Sequence, residues 1–198
     1  IRAYEPAFGI IGDAAKRDPR TRQSADHSMV YIVATALRKA IERRASISGN
    51  EDSIWKMLML EPADYSARAI FDETTRRLMG QIEFEHGGAE YDKRYPEGIP
   101  TSLLIRTVQG EEYDSGLVMF PAGHARSQTA DLDALLRHKF DVLSRLAFDD
   151  EAARRDVTER LSRFELLEAS EMAGLLDFEL ARREPIDDGA PQSLLSQA

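Results

Sequence analysis

Cysteine is absent from the 198 residues, so the chain has no disulfide framework, no thiolate nucleophile and no cysteine-ligated metal. That composition fits a reducing compartment, and the cytoplasm is the default expectation. Long apolar runs are missing too: Met29-Val30-Tyr31-Ile32-Val33-Ala34 is soon interrupted by Arg38 and Lys39, far short of the ~18 residues that would span a bilayer. The opening Ile1-Arg2-Ala3-Tyr4 has neither the charged nor the apolar region of a signal peptide. The first methionine is Met29, so further chain is expected upstream and these residues are read as the trailing portion of a larger protein. Positive charge is also in deficit. Thirty-five acidic residues against 26 basic give a formal charge of −9, which opposes general adhesion to nucleic acid or anionic lipid, and neither partner is expected. The four histidines include no i, i+4 pair, and no carboxylate run resembles a calcium loop, so no metal is expected. Glycine-rich phosphate loops and a G-x-S-x-G elbow are absent, and no cofactor is expected.

What is present reads as an α+β chain: a two-layer unit with a short antiparallel sheet, followed by helices. Residues 1–11 are apolar and tolerate a strand, and Gly12 to Arg22 is polar around Pro19. From Ser24 to about Arg44, Val30, Val33, Leu37, Ala40 and Ile41 recur at three and four, predicting an amphipathic helix capped by Ser24 or Asp26. Its terminal cations, Arg38-Lys39 and Arg43-Arg44, complement the negative pole of the macrodipole. Ser46 to Asn50 breaks the pattern, and a short helix is predicted over Asp52 to Leu60. A further one runs from Asp72, its cap, to Met79. Ile82 to Glu85 alternates as a strand. Leu103 to Val108 and Tyr113 to Phe120 flank Gly110 as a hairpin, making three strands. Three helices follow, over Asp131 to Leu146, Asp149 to Leu167 and Glu168 to Leu180, and then a frayed tail. The expected divisions are an upstream segment over 1–15, the α+β unit over 16–128, helices over 129–183 and the tail over 184–198. The terminal helices are amphipathic, so apolar surface is expected to stand uncovered.

Three segments carry candidate chemistry. His27, between Asp26 and Ser28, sits near a helix start, where free N–H groups favour a neutral imidazole and bound anions. Such a ring can accept a proton, or it can simply close the helix end with Asp26 as cap. Gly123-His124-Ala125-Arg126 lies between hairpin and helix, where a glycine-permitted turn can present imidazole and guanidinium together. A guanidinium suits a carboxylate because its fork binds two oxygens. An incidental surface salt bridge is the alternative. Tyr91 to Pro100 mixes tyrosines and charges in a long connection, the composition of a binding loop and equally of an exposed turn. His86 and His138 show no partner pattern.

Asp18-Pro19-Arg20-Thr21-Arg22-Gln23-Ser24-Ala25-Asp26-His27-Ser28-Met29-Val30-Tyr31, Tyr95-Pro96-Glu97-Gly98-Ile99-Pro100 and Phe120-Pro121-Ala122-Gly123-His124-Ala125-Arg126, in that order and spacing, resemble the 2-methylcitrate dehydratase (MmgE/PrpD) family. The resemblance extends over roughly residues 1–180. It implies a metal-free, dimeric lyase built from a helical domain and an α+β lid, with this chain as the lid and the returning helices. It further implies a small polycarboxylate substrate, either dehydrated or, in relatives, decarboxylated or epimerised by proton transfer next to a carboxylate. Under it, His27 and Tyr95 are candidate catalytic groups, and Asp26, Ser28, His124 and Arg126 are candidate substrate-binding groups. The remaining acid-base groups would belong to the missing N-terminal helical domain, so the chain alone is not expected to turn over substrate. A non-catalytic binding or dimerisation module is the alternative from a different class.

Overall fold

Arg2 and Ala3 form the middle strand of a sheet although their partners, residues 85–86 and 101–102, lie far along the chain. In the computed structural model, which describes residues 1–44 and 51–182 (backbone alone at 51–53), strand β1 (Arg2–Ala3) is followed by α1 (Glu5–Ile11). Residues 1–11 were expected to be strand-like. Pro6 decides otherwise after Ala3: it lacks the N–H that a ladder needs, whereas the first helical turn leaves that N–H unused, and Glu5 complements the helix's positive end.

Two short turns of helix come next. Helix α2 (Ala14–Arg17) is capped by Asp13, and α3 (Arg22–Ala25) by a reciprocal Thr21–Ser24 box. The main helix, α4 (Met29–Arg43), starts later than its periodicity predicts. Neither Ser24 nor Asp26 caps it. The Ser24 hydroxyl is committed to the backbone N–H groups of Arg20 and Thr21, and Ser28 takes the cap, accepting from Tyr31 N at 3.1 Å. The buried face is also rotated from the predicted stripe: Val30, Tyr31, Ala34, Thr35 and Lys39 are inside while Ile41 is exposed. Ala25, Val30, Tyr31, Ala34, Ile70 and Met79 make the core. Burial, the main cause, pushes the Tyr31 phenol pKa up to about 12, and its hydroxyl donates to the Asp64 carbonyl.

Helix α5 (Glu51–Leu58) and a 3-10 turn at Pro62–Tyr65 bring Asp64 under α4. There Lys39 Nζ donates to Asp64 Oδ2 and to Met59 O, both at 2.7 Å, and Arg38 reaches Asp64 Oδ1 at 3.4 Å. Arg38 and Lys39 thus turn onto a carboxylate instead of serving the macrodipole. Helix α6 (Ala67–Ile70) was not foreseen, whereas α7 (Glu73–Met79) begins at its predicted cap, with Asp72 accepting from Thr75 N at 2.8 Å. The expected break at Ser46–Asn50 and the tail over 184–198 lie outside the described residues.

Strand β2 (Glu85–His86) begins where the predicted strand ends, and α8 (Ala89–Asp92) interrupts the predicted loop. Strand β3 (Thr101–Ser102) completes a sheet of order β2-β1-β3 in which β1–β2 is parallel and β1–β3 antiparallel. The sheet is therefore mixed, not antiparallel throughout. The hairpin β4 (Leu104–Arg106) and β5 (Glu112–Asp114) is antiparallel as predicted, with Gly110 at φ +84° in its turn. Its ladder is shorter than predicted, because Ser115 and Gly116, at φ +64°, turn the chain away. The architecture, helices with two small sheets among the described residues, is compatible with the α+β class.

Ile1–Leu132 and Asp133–Pro185 are two compact units. In the second, which holds α9 (Leu132–Ala147), α10 (Glu151–Ser162) and α11 (Ala169–Ala173), Arg154 ties α10 to α9. Its guanidinium donates to Glu151 at 2.6 and 2.8 Å, to Asp141 at 2.7 Å and to Ser144 at 3.2 Å. The predicted third helix ends early at Gly174. Leu136, Phe140 and Leu143 on α9 stand 41–55% exposed, so the expected uncovered apolar face is present. The hydrogen bond from Arg154 holds the Glu151 carboxyl down at a pKa of about 2. A carboxyl depressed on folding stabilises the native state above its unfolded value near ~4.3, and that contribution is lost as pH falls toward the folded value. Acid titration followed by far-UV circular dichroism should show the helices weakening between about pH 4.5 and 2. Glu151→Gln should flatten that dependence, and an unchanged profile would count against the Arg154 clamp.

Candidate functional site

Two chain segments well separated in sequence form one open hollow of about 470 Å³, lined by Pro96, Glu97, His124 and Arg126. Backbone pairing brings them together: Ile99 N donates to Met119 O at 2.9 Å, and Thr101 and Val118 exchange bonds at 3.0 and 2.9 Å. Gly98 permits the approach, since a Cβ there would lie 2.9 Å from the Met119 carbonyl oxygen and 2.6 Å from its methyl. On the near rim, the cis Tyr95–Pro96 peptide leads into the lining, and the Tyr95 ring stacks on Tyr4 at 4.6 Å. Burial first, then the neighbouring Tyr95, pushes the Tyr4 phenol pKa upward.

The far rim is a tight turn. His124 N donates to Pro121 O at 2.9 Å and Ser127 N to His124 O at 2.8 Å. Arg126 N then donates to His124 Nδ1 at 3.0 Å, and Arg126 Nη1 reaches Glu97 O at 3.4 Å across the hollow. Phe120 stacks on the imidazole at 4.7 Å. The hollow therefore offers a guanidinium and an imidazole to an anion, with an acidic residue on the opposite rim.

Asp26, His27 and Ser28 do not line this hollow. They occupy the junction of α3 and α4, where the His27 side chain is 70% exposed. Its Nδ1 lies against the Asp26 carboxylate and 3.2 Å from Gln23 O, so Nδ1 carries the proton of the neutral ring and Nε2 is left as acceptor. Asp26 thus orients the His27 ring. Ser28 holds a different position: its hydroxyl is fully buried, accepting from Tyr31 N and donating to Lys16 O, and it does not reach His27. Of the six residues singled out, the structure joins His124 to Arg126, sets Tyr95 beside their hollow, and pairs His27 with Asp26 elsewhere.

Sequence reasoning missed His86. Its Nε2 lies 3.0 and 3.1 Å from the Asp92 carboxylate and 3.5 Å from Glu5. The Glu5 backbone N–H, then His86, holds the Asp92 carboxyl below the usual range. The Glu5 contacts bridge more than 80 residues, and no spacing signal reveals them. Among the described residues, no group of three His, Cys, Asp or Glu side chains is placed to hold a metal, and no helix is long and apolar enough to cross a membrane. The chain matches no family model, no curated protein and no solved structure.

Proposed function

We propose that this chain supplies part of the substrate cleft of a 2-methylcitrate dehydratase-like lyase acting on small polycarboxylates. The carrying observation is the convergence of two of the three family-like segments, Tyr95–Pro100 and Phe120–Arg126, on one hollow with Arg126 and His124 in its lining. Arg126 binds a substrate carboxylate through its fork, and His124 donates a further hydrogen bond. His27 stands outside this hollow; the family resemblance gives its Nε2, left open with Nδ1 held by Asp26, the proton transfer next to a carboxylate, and gives Tyr95 as the candidate partner. In dehydration the base removes a proton from the carbon beside the carboxylate, the hydroxyl leaves with a proton as water, and a carbon–carbon double bond forms. Decarboxylation of cis-aconitate and epimerisation are the alternatives within the same reading. The remaining acid-base groups come from the upstream helical domain that the family resemblance implies, so this chain alone is expected to bind substrate weakly and not to turn it over.

Arg126→Ala should weaken citrate binding by ~10–100-fold, the loss that follows removal of hydrogen bonds between charged partners. Isothermal titration of the variant and the parent measures this, and equal affinities would remove the hollow from substrate recognition. The exposed stripe Leu136, Phe140 and Leu143 favours a second reading, a dimerisation module. Sedimentation velocity of the parent and a Phe140→Glu variant tests it: a dimer dissociated by the charge supports it, and two identical profiles oppose it.

A further inference from the structure

We infer that Phe120 is the positioning residue of the hollow, fixing His124 as an Nε2–H hydrogen-bond donor. The inference rests on the proposed reading only for what the hollow binds; the state of the ring stands apart from it. His124 Nδ1 accepts the Arg126 backbone N–H at 3.0 Å, so in the neutral ring the proton resides on Nε2. That N–H is the polar group the ring has left to offer the hollow it lines. The Arg126 N–H sets this tautomer only while the imidazole keeps its plane, and the last side-chain torsion, with its wide minima, holds that plane weakly. Phe120 restricts it. Its ring lies 4.7 Å from the imidazole at an interplanar angle of 23°, a stacked contact.

On its other side, Phe120 leans on the opposite rim. A Cβ at Gly98 would lie 3.3 Å from Phe120 Cε1, so the bare backbone of Gly98 gives that ring its place. Gly98, Phe120 and His124 therefore form a packed column that joins the two segments lining the hollow. One end is the segment carrying Pro96 and Glu97, and the other is the turn carrying Arg126. The column registers the imidazole donor against the guanidinium, so both address one anion from fixed directions. Sequence inspection places Phe120 at the end of a predicted strand and the head of a family-like segment, and gives it no role of its own.

The test uses the full chain labelled with ¹⁵N-histidine, observed by NMR at alkaline pH, together with citrate titration of the same samples. The parent should show His124 with Nε2 protonated and Nδ1 unprotonated, and with ring protons displaced upfield by the stacked phenyl. Phe120→Leu keeps an apolar side chain but no ring. It should abolish the upfield displacement, mix the two tautomers and weaken citrate binding by ~2–10-fold, matching the worth of one aromatic stack. Phe120→Tyr should restore the ring shift, the single tautomer and the affinity. A parent His124 protonated on Nδ1, or Phe120→Leu spectra with His124 unchanged, would overturn the inference. A parent with the expected tautomer that shows no citrate binding would instead overturn the proposed function and leave the positioning role of Phe120 standing.

Discussion

Asp64→Ala is expected to destabilise the first unit by about 3–5 kcal/mol, the cost of stranding a buried charge after its partner is removed. Lys39 and Asp64 side chains are only 5% and 13% exposed. The carboxylate satisfies Lys39 Nζ, the Arg38 guanidinium and the Glu61 backbone N–H together. Its loss leaves an ammonium beneath α4 with the Met59 carbonyl as its remaining acceptor. Lys39→Met should cost less, because the stem volume is kept and Asp64 retains Arg38 and Glu61 N. The exposed pair Arg106–Glu112 is the contrast: Glu112→Ala should fall within ~1 kcal/mol of the parent. Urea unfolding of the three variants reads the order directly. An Asp64→Ala midpoint equal to that of Glu112→Ala would show that the buried network does not hold α4 to the 3-10 turn.

On the proposed function, His27→Ala should lower turnover of 2-methylcitrate by ~10²-fold or more when this chain is tested together with the helical domain that the family resemblance implies, the effect typical of a lost acid-base group. The imidazole is exposed, its Nδ1 is held by the neighbouring carboxylate and its Nε2 is open. That arrangement suits a group meeting substrate from solution-facing surface and transferring a proton there. The loss should fall on kcat with little change in KM, because the group acts in the transition state and not in binding. Asp26→Asn should give an intermediate loss, since it removes the orienting charge and keeps the ring. Full activity in His27→Ala would take His27 out of the mechanism.

Helix α7 with its Asp72 cap, the Gly110 hairpin and the long α9 were legible because each is encoded by neighbours three to eight residues apart. The parts that escaped notice depend on distance in sequence. Strand β1 acquires its role only by pairing with residues 85–86 and 101–102. The face of α4 was misjudged because periodicity counts Lys39 as polar and therefore outside, although Asp64 makes its burial tolerable. Ser28 looked like a site residue by its place beside His27, yet the need to cap α4 turns its hydroxyl inward. The convergence of Tyr95–Pro100 with Phe120–Arg126 was not legible either, because the close approach at Gly98 that makes it possible joins segments distant in sequence.

Titration of ¹⁵N-labelled chain with citrate, mapped residue by residue through its backbone amide resonances, tests most directly whether this hollow receives a polycarboxylate. Saturable shifts centred on Glu97, Gly98, Ala125 and Arg126, diminished in Arg126→Ala, are the predicted result. Shifts that fail to saturate, or that saturate elsewhere and leave these amides unmoved, would contradict it.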